Sequence, residues 1–175
     1  MGDLKLPMWR RAALWVLNVR VSYRQETLEA LAQGRAVVIC MEHRSLADGP
    51  IVALASPFPL HFAVTPKHAV DNLFTAQGIR FLMWLGLGDR TAINGDHPFS
   101  LRALHRVLEG GSPVMIFPEG RIAGADEGIA ARGGYQWLAD STSSPVVTIS
   151  MDGNEQSRIF APAGRFLRPR ITLTF

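Results

Sequence analysis

The sequence has little cysteine, little lysine and no long apolar run, and each shortage excludes a class of protein. Cys40 is the only cysteine among 175 residues, which excludes an internal disulfide and a zinc site built on several thiolates. Lysine occurs only at Lys5 and Lys67, so the net charge of +3 comes from dispersed arginines. The clustered basic stripe typical of nucleic-acid binding is missing. No stretch reaches the roughly 20 apolar residues that a bilayer-spanning helix needs. The histidines lack metal-ligand spacing. We therefore expect no nucleic-acid partner and no metal.

Apolar runs alternate with amphipathic segments along most of the chain. The runs predict strands at residues 36–40, 60–65, 114–117, 146–151 and 171–175. The segments between them predict helices at residues 27–33, 48–55, 71–85, 98–109 and 134–139. Strands that alternate with helices favour a mostly parallel sheet. The sequence therefore predicts one α/β domain over residues 25–175, with a mostly parallel central sheet flanked by helices.

Residues 1–24 differ from the rest, because tryptophan and arginine occur together there on a predicted amphipathic helix. The helix is predicted over residues 7–21 and contains Trp9, Trp15, Arg10 and Arg11. Indole rings at headgroup depth, with guanidinium groups on phosphates, are typical of a helix that lies in a membrane interface. A helix packed on its own domain is the alternative.

A histidine and an aspartate follow the first predicted core strand. His43 and Asp48 stand five positions apart, and a helix is predicted to begin between them. Neutral imidazole is a general base at neutral pH, and a carboxylate on one ring nitrogen orients the other toward a hydroxyl. This is the His–Asp half of a triad, with the nucleophile supplied by a substrate. In the alternative interpretation, Asp48 is an N-cap and His43 an ordinary loop histidine.

A second polar group follows the predicted strand at residues 114–117. Glu119 and Arg121 flank Gly120, where glycine permits close backbone approach and the guanidinium suits a phosphate. Arg90 is a second candidate phosphate contact. The alternatives are a turn with a surface ion pair for the first group, and pairing with Asp89 or another acid for Arg90.

These two elements together resemble the glycerophospholipid acyltransferases of the lysophosphatidic-acid acyltransferase type. The family's His-x4-Asp block is matched by His43 and Asp48, and its Phe-Pro-Glu-Gly block by residues 117–120. The likeness extends from about residue 36 to residue 175. Residues 117–122 and 165–173 look most like the acyltransferase domain of bacterial 2-acylglycerophosphoethanolamine acyltransferases that also carry an acyl-carrier-protein synthetase.

The resemblance implies an O-acyltransferase of phospholipid biosynthesis or remodelling. It implies acyl transfer from a thioester, on acyl carrier protein or coenzyme A, to the hydroxyl of a lysophospholipid or 1-acylglycerol-3-phosphate, without a cofactor. His43 would deprotonate the hydroxyl and Asp48 would orient His43. Glu119, Gly120 and Arg121 would bind the acceptor. Such an enzyme would work peripherally at the cytoplasmic face of a membrane.

The sequence departs from the family pattern at two blocks that concern the acceptor. The second block often ends in an arginine, but residues 92–95 contain none, and Arg90 is the nearest substitute. The fourth block usually has a proline where this chain has Thr148. A non-catalytic lipid-binding protein on a degenerate acyltransferase fold is therefore the main alternative. A thioesterase-like hydrolase, in which water replaces the acceptor, is the third.

Overall fold

Strands and helices alternate in this computed structural model, which describes residues 6–41, 43–64, 88–92, 98–120, 133–161 and 164–175. The described strands are β1 (Val19–Ser22), β2 (Val37–Cys40), β3 (Leu60–Val64), β4 (Gly88–Ala92), β5 (Val114–Ile116), β6 (Val146–Asp152) and β7 (Ile171–Thr174). The described α-helices are α1 (Met8–Val16), α2 (Gln25–Ala32), α3 (Asp48–Ala55), α4 (Pro98–Glu109) and α5 (Gly134–Thr142). A 3-10 helix, Asn154–Gln156, follows β6.

The strands form one sheet in the order β1-β7-β6-β2-β5-β3-β4. The pairs β6–β2, β2–β5, β5–β3 and β3–β4 are parallel, as is β1–β7, while β6–β7 is antiparallel. The predicted mostly parallel sheet flanked by helices is confirmed. The predicted helix at residues 71–85 lies outside the described residues.

Strand β2 lies in the middle of the sheet, and both of its faces are covered. Val38 and Cys40 join the apolar cluster that contains Leu14 of α1. Val37 and Ile39 join the opposite cluster, which contains Leu104 of α4 and Leu138 of α5. A strand covered on both faces reads as a continuous apolar run, which is why residues 36–40 were predictable.

The prediction of one helix over residues 7–21 is wrong in its second half. Helix α1 ends at Val16, and Asn18 adopts a left-handed conformation with φ 57°. Strand β1 then pairs with β7, from Val19 opposite Ile171 onward. Val19 and Val21 pack on the core while Arg20 and Ser22 are exposed, and this alternation of period two fits a strand.

Strand β4 was also missed, because its sequence is polar and begins with glycine. No apolar run marks this stretch, but Gly88–Ala92 pairs in parallel with all of β3. Backbone pairing with β3 overrides the low strand propensity of glycine and aspartate. Arg90 is therefore in a strand, opposite Phe62 of β3.

Candidate active site

Polar side chains follow three neighbouring parallel strands at the edge where their carboxyl ends meet. His43 follows β2, Glu119 follows β5 and Asn154 follows β6, with β2 between the other two. In open α/β sheets this is the edge where ligands bind. The topology thus brings three separate parts of the sequence to one place.

His43 and Asp48 are joined by a direct hydrogen bond. Nδ1 of His43 lies 2.9 Å from Oδ2 of Asp48. The same oxygen accepts the backbone N–H of Arg44 at 3.1 Å and that of Ser45 at 3.0 Å. Since donors surround it, Asp48 is the acceptor and Nδ1 carries the proton. The second ring nitrogen, Nε2, therefore holds the free lone pair of the neutral imidazole.

Asp48 is not the N-cap of α3, so the alternative interpretation of this aspartate is wrong. The cap position is Ala47, and no side chain caps the first turn. The carboxylate instead binds the N–H groups of the loop that precedes the helix. The loop 43–48 is thereby folded around Asp48, which is only 1% exposed, and His43 is fixed at its rim.

Asn154 is a site residue that the sequence interpretation missed. Its Nδ2 donates to Oδ1 of Asp48 at 2.8 Å across 106 residues of sequence, and its side chain is buried. Asp48 consequently accepts four hydrogen bonds, which compensates a buried carboxylate for lost hydration. The only local signal is a polar residue just after an apolar strand.

Gly153 determines where Asn154 lies. It has φ 85°, in the left-handed region that favours glycine. A Cβ at this position would stand 2.2 Å from the backbone oxygen of Arg170. The tight turn at Gly153 therefore lets the chain leave β6 and direct the amide of Asn154 toward Asp48.

The imidazole of His43 lies flat on an aromatic ring. The ring centroids of His43 and Phe117 are 4.1 Å apart with an interplanar angle of 19°. Its side chain is 18% exposed, so the base is accessible yet held on two sides. Phe117 is the first residue of the Phe-Pro-Glu-Gly segment, and this contact brings that segment to the histidine.

Glu119 and Gly120 follow Phe117 in a turn. The N–H of Gly120 donates to the Phe117 oxygen at 3.0 Å, and Gly120 has φ 70°. The alternative of a turn is thus correct for the backbone, and Glu119 is buried rather than at the surface, because it is only 5% exposed. Arg121 lies outside the described residues. The backbone position of Arg90 is described and its side chain is not.

No group of three or more metal-ligating side chains occurs in the described parts of the chain. Within those parts, none of the helices combines the length and apolar character needed to cross a bilayer.

Two comparisons with known proteins bear on the family and the fold of this chain. The sequence model of the family described as Acyltransferase matches residues 21–152. The solved structure of the 1-acyl-sn-glycerophosphate (LPA) acyltransferase PlsC from Thermotoga maritima is similar in fold, with a TM-score of 0.60 and 18% sequence identity. The alignment covers 95% of this chain and 64% of PlsC, so the chain spans less than two thirds of that protein.

Proposed function

We infer what the chain does from one premise: it belongs to the acyltransferase family. We propose that it moves a fatty acyl group from an acyl thioester, on acyl carrier protein or coenzyme A, to the hydroxyl of a lysophospholipid or 1-acylglycerol-3-phosphate. The observation that carries the proposal is the His43–Asp48 pair, 2.9 Å apart at the carboxyl end of a central strand. No step of the proposed reaction calls for a cofactor.

The proposed reaction begins with a proton transfer to His43. Nε2 takes the proton of the acceptor hydroxyl, while the 2.9 Å hydrogen bond to Asp48 stabilises the imidazolium that forms. The acceptor oxygen attacks the thioester carbonyl and gives a tetrahedral intermediate. Its collapse breaks the carbon–sulfur bond, and the departing thiolate takes the proton back from His43. One ester bond forms, one thioester bond breaks and the base is regenerated.

We propose that the Glu119 region, together with Arg121 and Arg90, binds the phosphate of the acceptor. Glu119 belongs to the segment that contacts His43 through Phe117, and its side chain is buried, which suits a carboxylate that orders a binding loop. Arg121 adjoins this segment in sequence, and Arg90 lies in β4, which β3 separates from β5 in the same sheet. Guanidinium groups suit bidentate phosphate binding, which is why we propose this role for both arginines.

We propose further that the protein works peripherally at the cytoplasmic face of a membrane, through α1. Leu14 is buried and fixes the helix on the domain, whereas Trp15 is 72% exposed and Trp9 is 42% exposed. One face of α1 thus packs on the domain and another meets solvent. Exposed indoles beside arginines suit a lipid interface.

The experiment that tests the function is thiol release from acyl-carrier-protein and acyl-coenzyme A donors. Each donor is offered with and without a panel of lysophospholipids and 1-acylglycerol-3-phosphate, to wild type beside His43→Ala. We expect release that needs both an acceptor and His43. His105→Ala is the matched control, because His105 pairs with Glu109 on α4, on the far side of the sheet.

The other candidate functions give different results in the same assay. Acceptor-independent release would indicate a hydrolase. No release from any pair, by protein that is folded and binds lipid, would indicate the non-catalytic lipid-binding protein. Full activity in His43→Ala would contradict the proposed mechanism.

A further inference from the structure

The segment from Arg158 to Arg170 exposes apolar side chains that the proposed reaction does not use. Phe166 is 57% exposed and Leu167 is 69% exposed, and Ile159 and Phe160 are also exposed. Their backbone is nevertheless ordered by hydrogen bonds, such as Arg158 N–H to the Phe166 oxygen at 2.8 Å. These side chains are therefore held outward by a defined loop, without a partner surface in the described part of the chain.

The loop is joined to the end of helix α1 through Arg168. Its guanidinium donates to the backbone oxygens of Trp15 at 2.5 Å and Val16 at 2.9 Å. The same group lies over the Trp15 ring, 5.1 Å from its centroid. The exposed apolar side chains of the helix end and of the loop thus form one surface. We call this the docking surface: Trp15, Val16, Ile159, Phe160, Phe166 and Leu167.

The charged side chains within the loop segment 158–170 all have the same sign. Residues 158–170 contain four arginines, Arg158, Arg165, Arg168 and Arg170, and no acidic residue. All four side chains are exposed. Arginines around an apolar surface complement an anionic phospholipid surface, where phosphates lie above the acyl region.

The same loop is hydrogen-bonded to the loop that carries the base. The Phe160 oxygen accepts the N–H of Leu46 at 2.9 Å and the hydroxyl of Ser45 at 3.4 Å. Ser45 also binds the carboxylate of Asp48 through its own N–H. The docking surface therefore begins a few residues from His43 and is connected to the His43 loop by hydrogen bonds.

We propose that the docking surface seats the protein on an anionic phospholipid bilayer and faces the His43 site toward that bilayer. The apolar side chains lie at the boundary between headgroups and acyl chains, and the arginines bind lipid phosphates. This deepens the proposed function, on which it rests, because it extends the membrane contact beyond α1 to a second element beside the base. A lysolipid acceptor then reaches His43 without leaving the surface.

The test is vesicle co-sedimentation of the Phe166→Ser/Leu167→Ser double variant. The probes are vesicles of phosphatidylglycerol mixed with phosphatidylcholine, and vesicles of phosphatidylcholine alone. We expect the double variant to bind the anionic vesicles at least about tenfold more weakly, because the serine side chains bury much less apolar surface in the bilayer. Its backbone hydrogen bonds are untouched, and circular dichroism checks the fold. The matched control is Trp137→Ser, on α5 across the sheet, where the side chain is 47% exposed.

A second variant tests whether the arginines of the loop contribute to the binding of anionic lipid. Arg165→Gln should bind the anionic vesicles about fivefold more weakly and the neutral vesicles as wild type does. Arg106→Gln, on the far side of the sheet, should bind both as wild type does. Equal loss for Arg106→Gln and Arg165→Gln would overturn the assignment of charge to this surface.

The result that would overturn the proposal is undiminished vesicle binding by the double variant. Loss of self-association, or of binding to acyl carrier protein, with vesicle binding intact would also overturn it and assign the surface to a protein partner. His43→Ala separates this proposal from the proposed function, because it should bind vesicles as wild type does. If acyl transfer fails everywhere while vesicle binding follows the expected pattern, only the function is wrong.

Discussion

Replacing Asn154 with alanine tests whether the site depends on the position of Asp48. The change removes one of the four hydrogen bonds to that carboxylate, the 2.8 Å bond to Oδ1, and leaves His43 and its 2.9 Å bond in place. Alanine supplies no donor, so Oδ1 of a side chain that is only 1% exposed loses this partner. The carboxylate is then free to turn away from His43.

The size of the expected effect follows from the negative charge of the Asp48 carboxylate, which accepts this hydrogen bond. A hydrogen bond to a charged group contributes about 1.5–3 kcal/mol. If all of that loss falls on the arrangement needed for reaction, kcat drops by about ten- to hundredfold. The free energy of unfolding should fall by a similar amount. KM should change little, because Asn154 touches Asp48 and is not a proposed acceptor contact.

The assay is steady-state acyl transfer with the best donor and acceptor, together with urea unfolding. Ser56→Ala is the matched control, because it also removes a buried, hydrogen-bonded side chain, at the opposite end of α3 from Asp48. It should lower stability and leave kcat unchanged. If folded Asn154→Ala keeps kcat within about twofold of wild type, the reasoning about Asp48 is wrong.

Two further predictions concern the neighbours of the site and of α3. Phe117→Leu removes the ring whose centroid lies 4.1 Å from that of the His43 imidazole. Stacking of this kind is worth about 0.5–1.5 kcal/mol, so kcat should fall by a few-fold to about tenfold. An unchanged kcat would contradict this role of Phe117. The second prediction concerns Tyr23, whose hydroxyl donates to the Ala55 oxygen at 2.6 Å. Burial raises the pKa of Tyr23 to about 12, although nearby Arg10 acts to lower it. Because this pKa is above the unfolded value of about 10, the stabilisation is present below about pH 10 and is lost toward about pH 12. After allowance for partial exposure, wild type should lose about 1–2 kcal/mol over this range relative to Tyr23→Phe, and parallel unfolding curves for the two proteins would contradict this.

The sequence was sufficient for the parts of the fold that depend on local pattern. Buried strands such as β2 and β5 are short apolar runs, and helix α4 shows its apolar face every three or four residues, with Leu104 and Leu108 fully buried. The proximity of His43 and Asp48 was also predictable, because only five positions separate them and a helix begins at the second. Patterns of this kind need no knowledge of distant residues.

What the sequence did not predict depends on partners far along the chain. Strand β1 is short and follows a helix directly, and its pairing with β7 spans most of the sequence. Strand β4 pairs in parallel with β3, about 28 residues earlier in the chain, along the whole length of both strands. Asn154 meets Asp48 across 106 residues, so neither segment alone indicates the contact. The orientation of the Asp48 carboxylate, toward the preceding loop rather than into its own helix, is likewise set by Asn154 and the loop amides.

The measurement that tests the central claim most directly follows the acyl carbon itself. An isotope-labelled acyl donor is incubated with lysophospholipid and either wild type or His43→Ala, and the labelled products are identified by mass spectrometry. We predict that wild type places the label in the ester of the acceptor, with little free fatty acid, and that His43→Ala forms no labelled ester. Labelled ester formed equally by both proteins would contradict the role of His43 as the base, and label found only in free fatty acid would contradict acyl transfer.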